Sequence, residues 1–228
     1  MLTAERVWLL VADDVTGKPL STVKSQVAVA AGLTMDVIDH QAARISDDEI
    51  LTVQHEQHLT EPALNWCVQT LGSARSMRWG HAIDTLYTDA WDQAASSLQR
   101  AGLVQRYTHM LRHRYRVTSA STRIDLVTTA RNDLDHGDGT PVSAATNYLL
   151  VLVATQALAM ATSDPDLRGY TVPEQADSVL SHDSMCRRLG ESVQYLLAQA
   201  SQRWVAAASL RTLHTGVARR SPARSRSA

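Results

Sequence analysis

Phenylalanine is missing altogether from this sequence, and aromatic residues make up only 5% of it. A core must therefore be built from Ala, Val and Leu, with the few Trp and Tyr as larger plugs, which favours aliphatic helix faces. Cysteine is almost as scarce. Cys67 and Cys186 stand alone without a CxxC pair, which excludes a disulfide framework and suits a reducing cytoplasm. Lysine occurs only at Lys18 and Lys24, so nearly all positive charge is guanidinium, a skew that a GC-rich genome produces by itself. No charged stretch followed by an apolar run and a small-residue cleavage site opens the chain, so no secretory signal is expected. The protein is expected to be cytoplasmic, with association at the inner face of the membrane.

Long uncharged runs are few. Residues 139–163 carry no charge and include Tyr148-Leu-Leu-Val-Leu-Val-Ala154. Thr146, Asn147, Thr155, Gln156 and Thr162 interrupt the run, and polar groups are costly in lipid, so a helix buried among other helices is expected rather than a membrane span. Catalytic signatures are missing as well: there is no Ser-His-Asp order, nucleophile elbow, glycine-rich phosphate loop or HExxH sequence, and no enzyme is expected. His55-x-x-His58 and His109-x3-His113 have metal-like spacing but do not gather three or four ligands, so no metal or other cofactor is expected. Asp13-Asp14, followed by Gly17 and Pro19, reads as a helix-stopping turn and not as a carboxylate pair.

The most informative gap is an absence of acid. Between Asp92 and Asp125 there is none, while Arg100, Arg106, Arg112, Arg114, Arg116 and Arg123 fall there in a chain of net charge -1. Arg112, Arg114 and Arg116 alternate with Leu111, His113, Tyr115 and Val117, and a period of two puts three guanidiniums on one face of a strand. Leu103 to Tyr107 reads as its partner strand, with Thr108 to Leu111 as the tip. Met110 and Leu111 at an apolar tip within an arginine collar suit an anionic, partly apolar target such as a membrane surface, or an oligomer interface; a solvated charged strand is the plain alternative. Each cation near an anionic bilayer contributes on the order of 1 kcal/mol, so Arg106, Arg112, Arg114 and Arg116 matter as a group. The acid-free tail after Glu191, ending Arg219-Arg220-Ser-Pro-Ala-Arg224-Ser-Arg226, is expected to be disordered over 215–228 and to bind anions without selectivity.

Along the chain the patterns predict helices over Thr3–Ala12, from Ser21 or Thr22 to about Ala43, from Thr60-Glu61-Pro62 to Gly72, Trp79–Leu86, Thr88–Ala101, Thr122–Leu134, Val142–Thr162, Pro173–Leu180 and Ser184 to about His214. Val193, Leu196, Leu197 and Ala200 face inward on the last of these. A small hairpin is predicted over Arg44–Val53 and a glycine stop at Gly102. The expected fold is mainly α: a single helical domain over 1–214 around a central buried helix, with a protruding β-hairpin.

The order of these elements resembles the Golgi phosphoprotein 3-like family. Leu9-Leu10-Val11-Ala12-Asp13-Asp14-Val15-Thr16-Gly17-Lys18 is similar to the leucine run, paired acid and Thr-Gly turn that open its bacterial members. Ala43-Arg44-Ile45 is similar to its step from a helix into a first strand, Leu98-Gln-Arg-Ala-Gly102-Leu-Val to its step into a hairpin, and Leu149–Ala161 to its central helix. The resemblance implies a helical fold with a projecting hairpin and, as in eukaryotic members, binding of phosphatidylinositol 4-phosphate and a peripheral-membrane adaptor role. Those members hold the phosphate with a tryptophan and three arginines, whose places align by eye with Val23, Gly32, Thr88 and Trp91. None of the four matches, so no family ligand residue carries over. The rival class is a winged-helix nucleic-acid binder, since a helix followed by a basic hairpin also describes a wing; Asp89 and Asp92 on the preceding helix and a sequence pI near 6.7 argue against it.

Overall fold

A computed structural model of the protein describes residues 1–13, 15–54, 59–72, 75–109, 112–135, 147–157 and 187–199. The His55/His58 pair, Met110 and Leu111, the 173–180 segment and the basic tail lie outside the described residues. The chain is mainly helical, with two small antiparallel sheets.

Two helices make the foundation. Helix α1 (Thr3–Val11) has Thr3, Ala4, Glu5 and Val7 through Val11 buried, so it is a core helix and not a surface one. Its partner α2 (Thr22–Asp39) is buried from Val27 through Val37. They pack closely because Gly32 presents no side chain: a Cβ there would come within 2.8 Å of the Ala4 Cα. Helices α3 (Pro62–Leu71), α4 (Trp79–Leu86) and α5 (Ala90–Arg100) pack on α2, and α5 also touches α1. Pro62 stands in the first turn of α3 and Gly72 follows its end, as the capping residues predict.

The expected hairpin after α2 exists, as β1 (Ala43–Ile45) and β2 (Ile50–Val53). Helix α2 therefore ends sooner than its apolar stripe suggests. Gln41 takes a positive φ of 57°, and Ala42 accepts a hydrogen bond from the Gln54 N–H, turning the backbone from helix to ladder. A third strand, β3 (Ser76–Arg78), was not foreseen; it pairs with β2 and leads straight into α4. The indole N–H of Trp79, at the start of α4, donates to the buried Thr34 hydroxyl at 2.8 Å and locks α4 to α2.

A second hairpin, β4 (Val104–His109) and β5 (Arg112–Val117), follows α5 through Gly102, whose φ of 74° makes the stop. Helix α6 (Ala120–Asp135) packs on α1. Helix α7 (Asn147–Ala154) is buried at every residue and lies on α1 and α2. It ends well short of the predicted Thr162: the Thr155 hydroxyl donates back to the Val151 carbonyl, and Gln156 turns out at φ 55°. Helix α2 packs against α1, α3, α4, α5, α7 and β1. A last helix, α8 (residues 187–199), buries Val193, Leu196 and Leu197 as predicted and reaches the β1–β2 turn through Arg188, which lies 3.9 Å from Asp47. Among the described residues, no helix is long and apolar enough to cross a membrane.

Candidate functional site: a basic hairpin seated on the core

An isolated two-stranded ribbon is marginal in water, so the hairpin needs a seat. The ladder pairs Val104 with Val117, Gln105 with Arg116, Arg106 with Tyr115 and Tyr107 with Arg114. Cross-strand partners share a face, so Val104, Tyr115 and Val117 look one way, and Val104 and Tyr115 are buried. The Tyr115 ring meets Trp8 edge-on at 6.3 Å between centroids, and Trp8 in turn stacks on Trp91 at 5.0 Å. This aromatic trio joins β5, α1 and α5 at one point of the core. The Leu103 carbonyl accepts from the Thr118 N–H at 2.9 Å and closes the base.

The free edge of β5 is covered as well. The turn expected after α1 is there: Asp13 accepts from the Thr16 N–H and hydroxyl, both at 2.7 Å, and those donors hold its carboxyl below the ordinary carboxylate range. The turn seats Gly17 against the backbone of Tyr115, so tightly that a Cβ would fall 1.9 Å from the Tyr115 carbonyl oxygen. At φ 58° this position also favours glycine on conformational grounds. The guanidinium of Arg123, on α6, donates to the Ala12 carbonyl at 3.2 Å beside it.

On the outward face Arg114 and Arg116 stand with Gln105 and Tyr107, and Arg116 is exposed. Among the described residues no carboxylate is bridged to Arg106, Arg114 or Arg116. The register separates the arginines that the sequence grouped. Arg106 pairs with Tyr115 and so belongs to the opposite, core-side face, although its own side chain reaches solvent. His109 and Arg112 close the described ladder, and the side chains of His109, Arg112 and His113 lie outside the described residues.

Helix α5, which precedes the hairpin, carries one cation, Arg100 in its last turn. Its exposed positions are Asp92, Gln99 and Arg100, with Asp89 at its N-cap. The four positions aligned with the family's phosphate ligands do not converge on a surface. Gly32 is the contact point of α1 and α2, Trp91 is in the aromatic trio, Val23 is half-buried at the start of α2, and Thr88 is exposed between α4 and α5.

The sequence reading missed a second feature, a cleft of about 700 Å³ at the N-terminal end of α1. Glu5, Arg6, Asp36, Asp39, His40 and Arg100 line it, a mixed set of charges. Asp36, at 3% exposure, accepts the Thr3 and Ala4 N–H groups at 2.7 and 3.0 Å, and Glu5 accepts the Leu2 N–H at 2.8 Å. Acids thus satisfy three of the N–H groups a helix leaves open at its start. Burial pushes Asp36 up to about 6 against the pull of those donors, and Asp39 nearby adds to the rise. The signal was legible, since an aspartate interrupts the apolar run of α2. Among the described residues no group of His, Cys, Asp and Glu side chains is arranged to hold a metal ion. Cys67 is buried, and burial raises its thiol pKa far above the ordinary range, so it stays protonated.

No curated protein matches this sequence. The family model for Golgi phosphoprotein 3 (GPP34) matches residues 3–214, nearly the whole chain, from the first residue of α1 to beyond the described part of α8. With helices α1 to α8 and the seated hairpin inside that span, the chain belongs to the Golgi phosphoprotein 3 (GPP34) family.

Proposed function

We propose that the protein is a non-enzymatic, peripheral membrane or adaptor protein that docks on anionic lipid through the arginine face of the β4–β5 hairpin. The observation that carries the reading is a two-stranded ribbon whose Arg114 and Arg116 share a face that no described carboxylate neutralises, while its other face is held by the core. Arg112 continues the same alternation toward the tip, and Met110 and Leu111 would enter the headgroup region. Arg106 takes a lesser part, from the other face. The family resemblance suggests phosphatidylinositol 4-phosphate as the lipid. Here the aligned ligand positions hold Val23, Gly32, Thr88 and Trp91, two of them packed in the core, which supports recognition of surface charge over one headgroup. A nucleic-acid groove finds less support, because the exposed face of α5 offers Asp89 and Asp92 where phosphate donors would be needed.

Vesicle co-sedimentation tests this. Removing three arginines at on the order of 1 kcal/mol each should weaken partitioning roughly a hundredfold. The R112A/R114A/R116A variant should lose binding to phosphatidylserine vesicles by that amount, and vesicles carrying phosphatidylinositol 4-phosphate at the same surface charge should bind the parent protein no better. Equal binding by the triple variant would remove the hairpin from the reading, and a strong preference for the phosphoinositide at matched charge would replace surface charge with a specific pocket.

A further inference from the structure

Three of the exposed large apolar side chains fall on two segments that are tied together. Among the described residues the exposed ones are Met1, Val15, Leu20, Ile124 and Tyr195. Val15, Leu20 and Ile124, at 67%, 42% and 62% exposure, belong to two neighbouring segments: the α1–α2 turn and the start of α6. The segments are tied to each other by Arg123 on the Ala12 carbonyl and to the hairpin by Gly17 on Tyr115. Single exposed aliphatics need no explanation, but three on adjoining segments beside a basic ribbon do.

The turn is not a loose flap. Asp13 N–H donates to the Lys18 carbonyl at 2.8 Å, Gly17 N–H to the Asp13 carbonyl at 2.7 Å, and Leu20 N–H to the Val11 carbonyl at 2.9 Å, while Ala12 and Pro19 form an antiparallel bridge. Val15 and Leu20 are therefore held outward by a bonded frame. Charge is arranged around them. Lys18 and Lys24, the only lysines in the chain, flank the turn on either side of Leu20. Asp13 is already occupied by Thr16 and lies within the field of Arg123. Asp125 follows Ile124 but sits about 100° round the helix from it. Asp14 and Asp125 adjoin Val15 and Ile124 in the sequence, but Lys18, Lys24 and the arginine ribbon joined to the turn outnumber them, and aliphatics in such a cationic setting are complementary to an anionic bilayer, whose headgroups take the cations and whose acyl boundary takes the apolar groups.

We propose that Val15, Leu20 and Ile124 form a second membrane-inserting patch that enters the headgroup boundary together with the hairpin. The proposal rests on the lipid-docking reading above, and extends the contact from a single arm to a face made of the hairpin, the α1–α2 turn and the start of α6. It gives the otherwise exposed aliphatics an occupant and fixes the orientation of the protein on the membrane.

The test is depth-sensitive labelling of the full chain in a C186S background, leaving Cys67 buried and unreactive. Single cysteines V15C, I124C and Y195C carry an environment-sensitive fluorophore, and vesicles contain phosphatidylcholine with about one-third phosphatidylserine to set a negative surface potential. On vesicle binding the fluorophore at 15 and 124 should shift to the blue and be quenched by nitroxide on the lipid acyl chain, while the probe at 195 on α8 stays in water. V15S/L20S/I124S should lower vesicle partitioning about tenfold with its unfolding midpoint unchanged, since all three side chains are already exposed. Vesicle binding with unaltered probes at 15 and 124 overturns this proposal and leaves the hairpin reading standing. Absence of any binding sinks both. A blue shift that appears without vesicles and tracks a dimer in sedimentation velocity assigns the patch to a second copy of the chain and overturns the proposal.

Discussion

Asp36 offers a quantitative test of how the core is put together. Its carboxylate ties the start of α1 to α2, yet it lies in an apolar setting that raises its pKa from 3.8 to about 6. A folded-state pKa above the unfolded one means that the folded chain binds the proton more tightly. The contribution to stability is therefore fully present below pH 4, falls as the pH rises, and is gone above the folded pKa of about 6. At about 1.4 kcal/mol per unit, the change across that window is about 3 kcal/mol. Replacing Asp36 by Asn removes the titration. The amide oxygen can still accept one of the two N–H groups, while the amide nitrogen leaves the other without a partner, at a cost of roughly 1–3 kcal/mol at every pH. The two effects oppose each other at pH 7, so a single measurement there is uninformative and the pH profile decides. Urea unfolding of parent and D36N at intervals from pH 4 to 7.5 should show the parent losing its advantage by about 3 kcal/mol as the pH rises. Asp39 also titrates above the ordinary carboxylate range because of its burial; it is present in both proteins, so only its coupling to Asp36 remains in the difference. A parent-to-variant difference that stays flat within about 0.5 kcal/mol across this range would refute the reasoning, since it would mean that Asp36 titrates alike folded and unfolded.

Two glycines give sharper mechanical tests. Gly17→Ala puts a methyl group on the Tyr115 carbonyl and forces a positive φ on a residue with a side chain, so the turn must lift from β5 at a cost of roughly 1–3 kcal/mol. Hydrogen exchange should then show faster exchange at Tyr115 and its neighbours before any change in α2. Gly32→Ala drives a Cβ to within 2.8 Å of the Ala4 Cα and should cost roughly 1–3 kcal/mol in urea unfolding, through separation of α1 and α2. A neutral result at either site would show that the backbone there gives way more easily than its packing indicates.

Much of this architecture could be read from local pattern. The limits of α4 at Trp79 and Leu86 match the expectation, as do the Pro62 start and Gly72 stop of α3, because caps and breakers act within a few residues of where they stand. Element ends set by distant partners could not be read that way. The apolar stripe of α2 runs on past Asp39, but Ala43 is claimed by pairing with Val53, a contact made only when the fold closes. Ser76–Arg78 has too few residues to show alternation and becomes a strand because β2 has a free edge. The hairpin itself was legible from its period of two; the register was not. Spacing within one strand groups Arg112, Arg114 and Arg116, whereas the side taken by Arg106 depends on which residue of β5 faces it. The aromatic trio was equally out of reach, since Trp8, Trp91 and Tyr115 are far apart in the chain.

The trio and the Gly17 seat together explain why so short a ribbon can present charge in a fixed direction. Six residues per strand with four arginines would gain little from cross-strand pairs alone, and like charges along one face oppose association of the strands. The ribbon persists because its core side is spent on Val104 and Tyr115, its free edge on the α1–α2 turn, and its base on the Leu103–Thr118 hydrogen bond. Those contacts hold the ribbon from its core side, edge and base, so that Arg116 is left exposed and Arg114 half-exposed on the outer face. The same contacts bind the turn that carries Val15 and Lys18 to the hairpin as one unit. In the proposed docking mode one surface meets both the arginines and the aliphatic patch, and the energy of the two contacts then adds without a separate entropic cost for bringing the second into place.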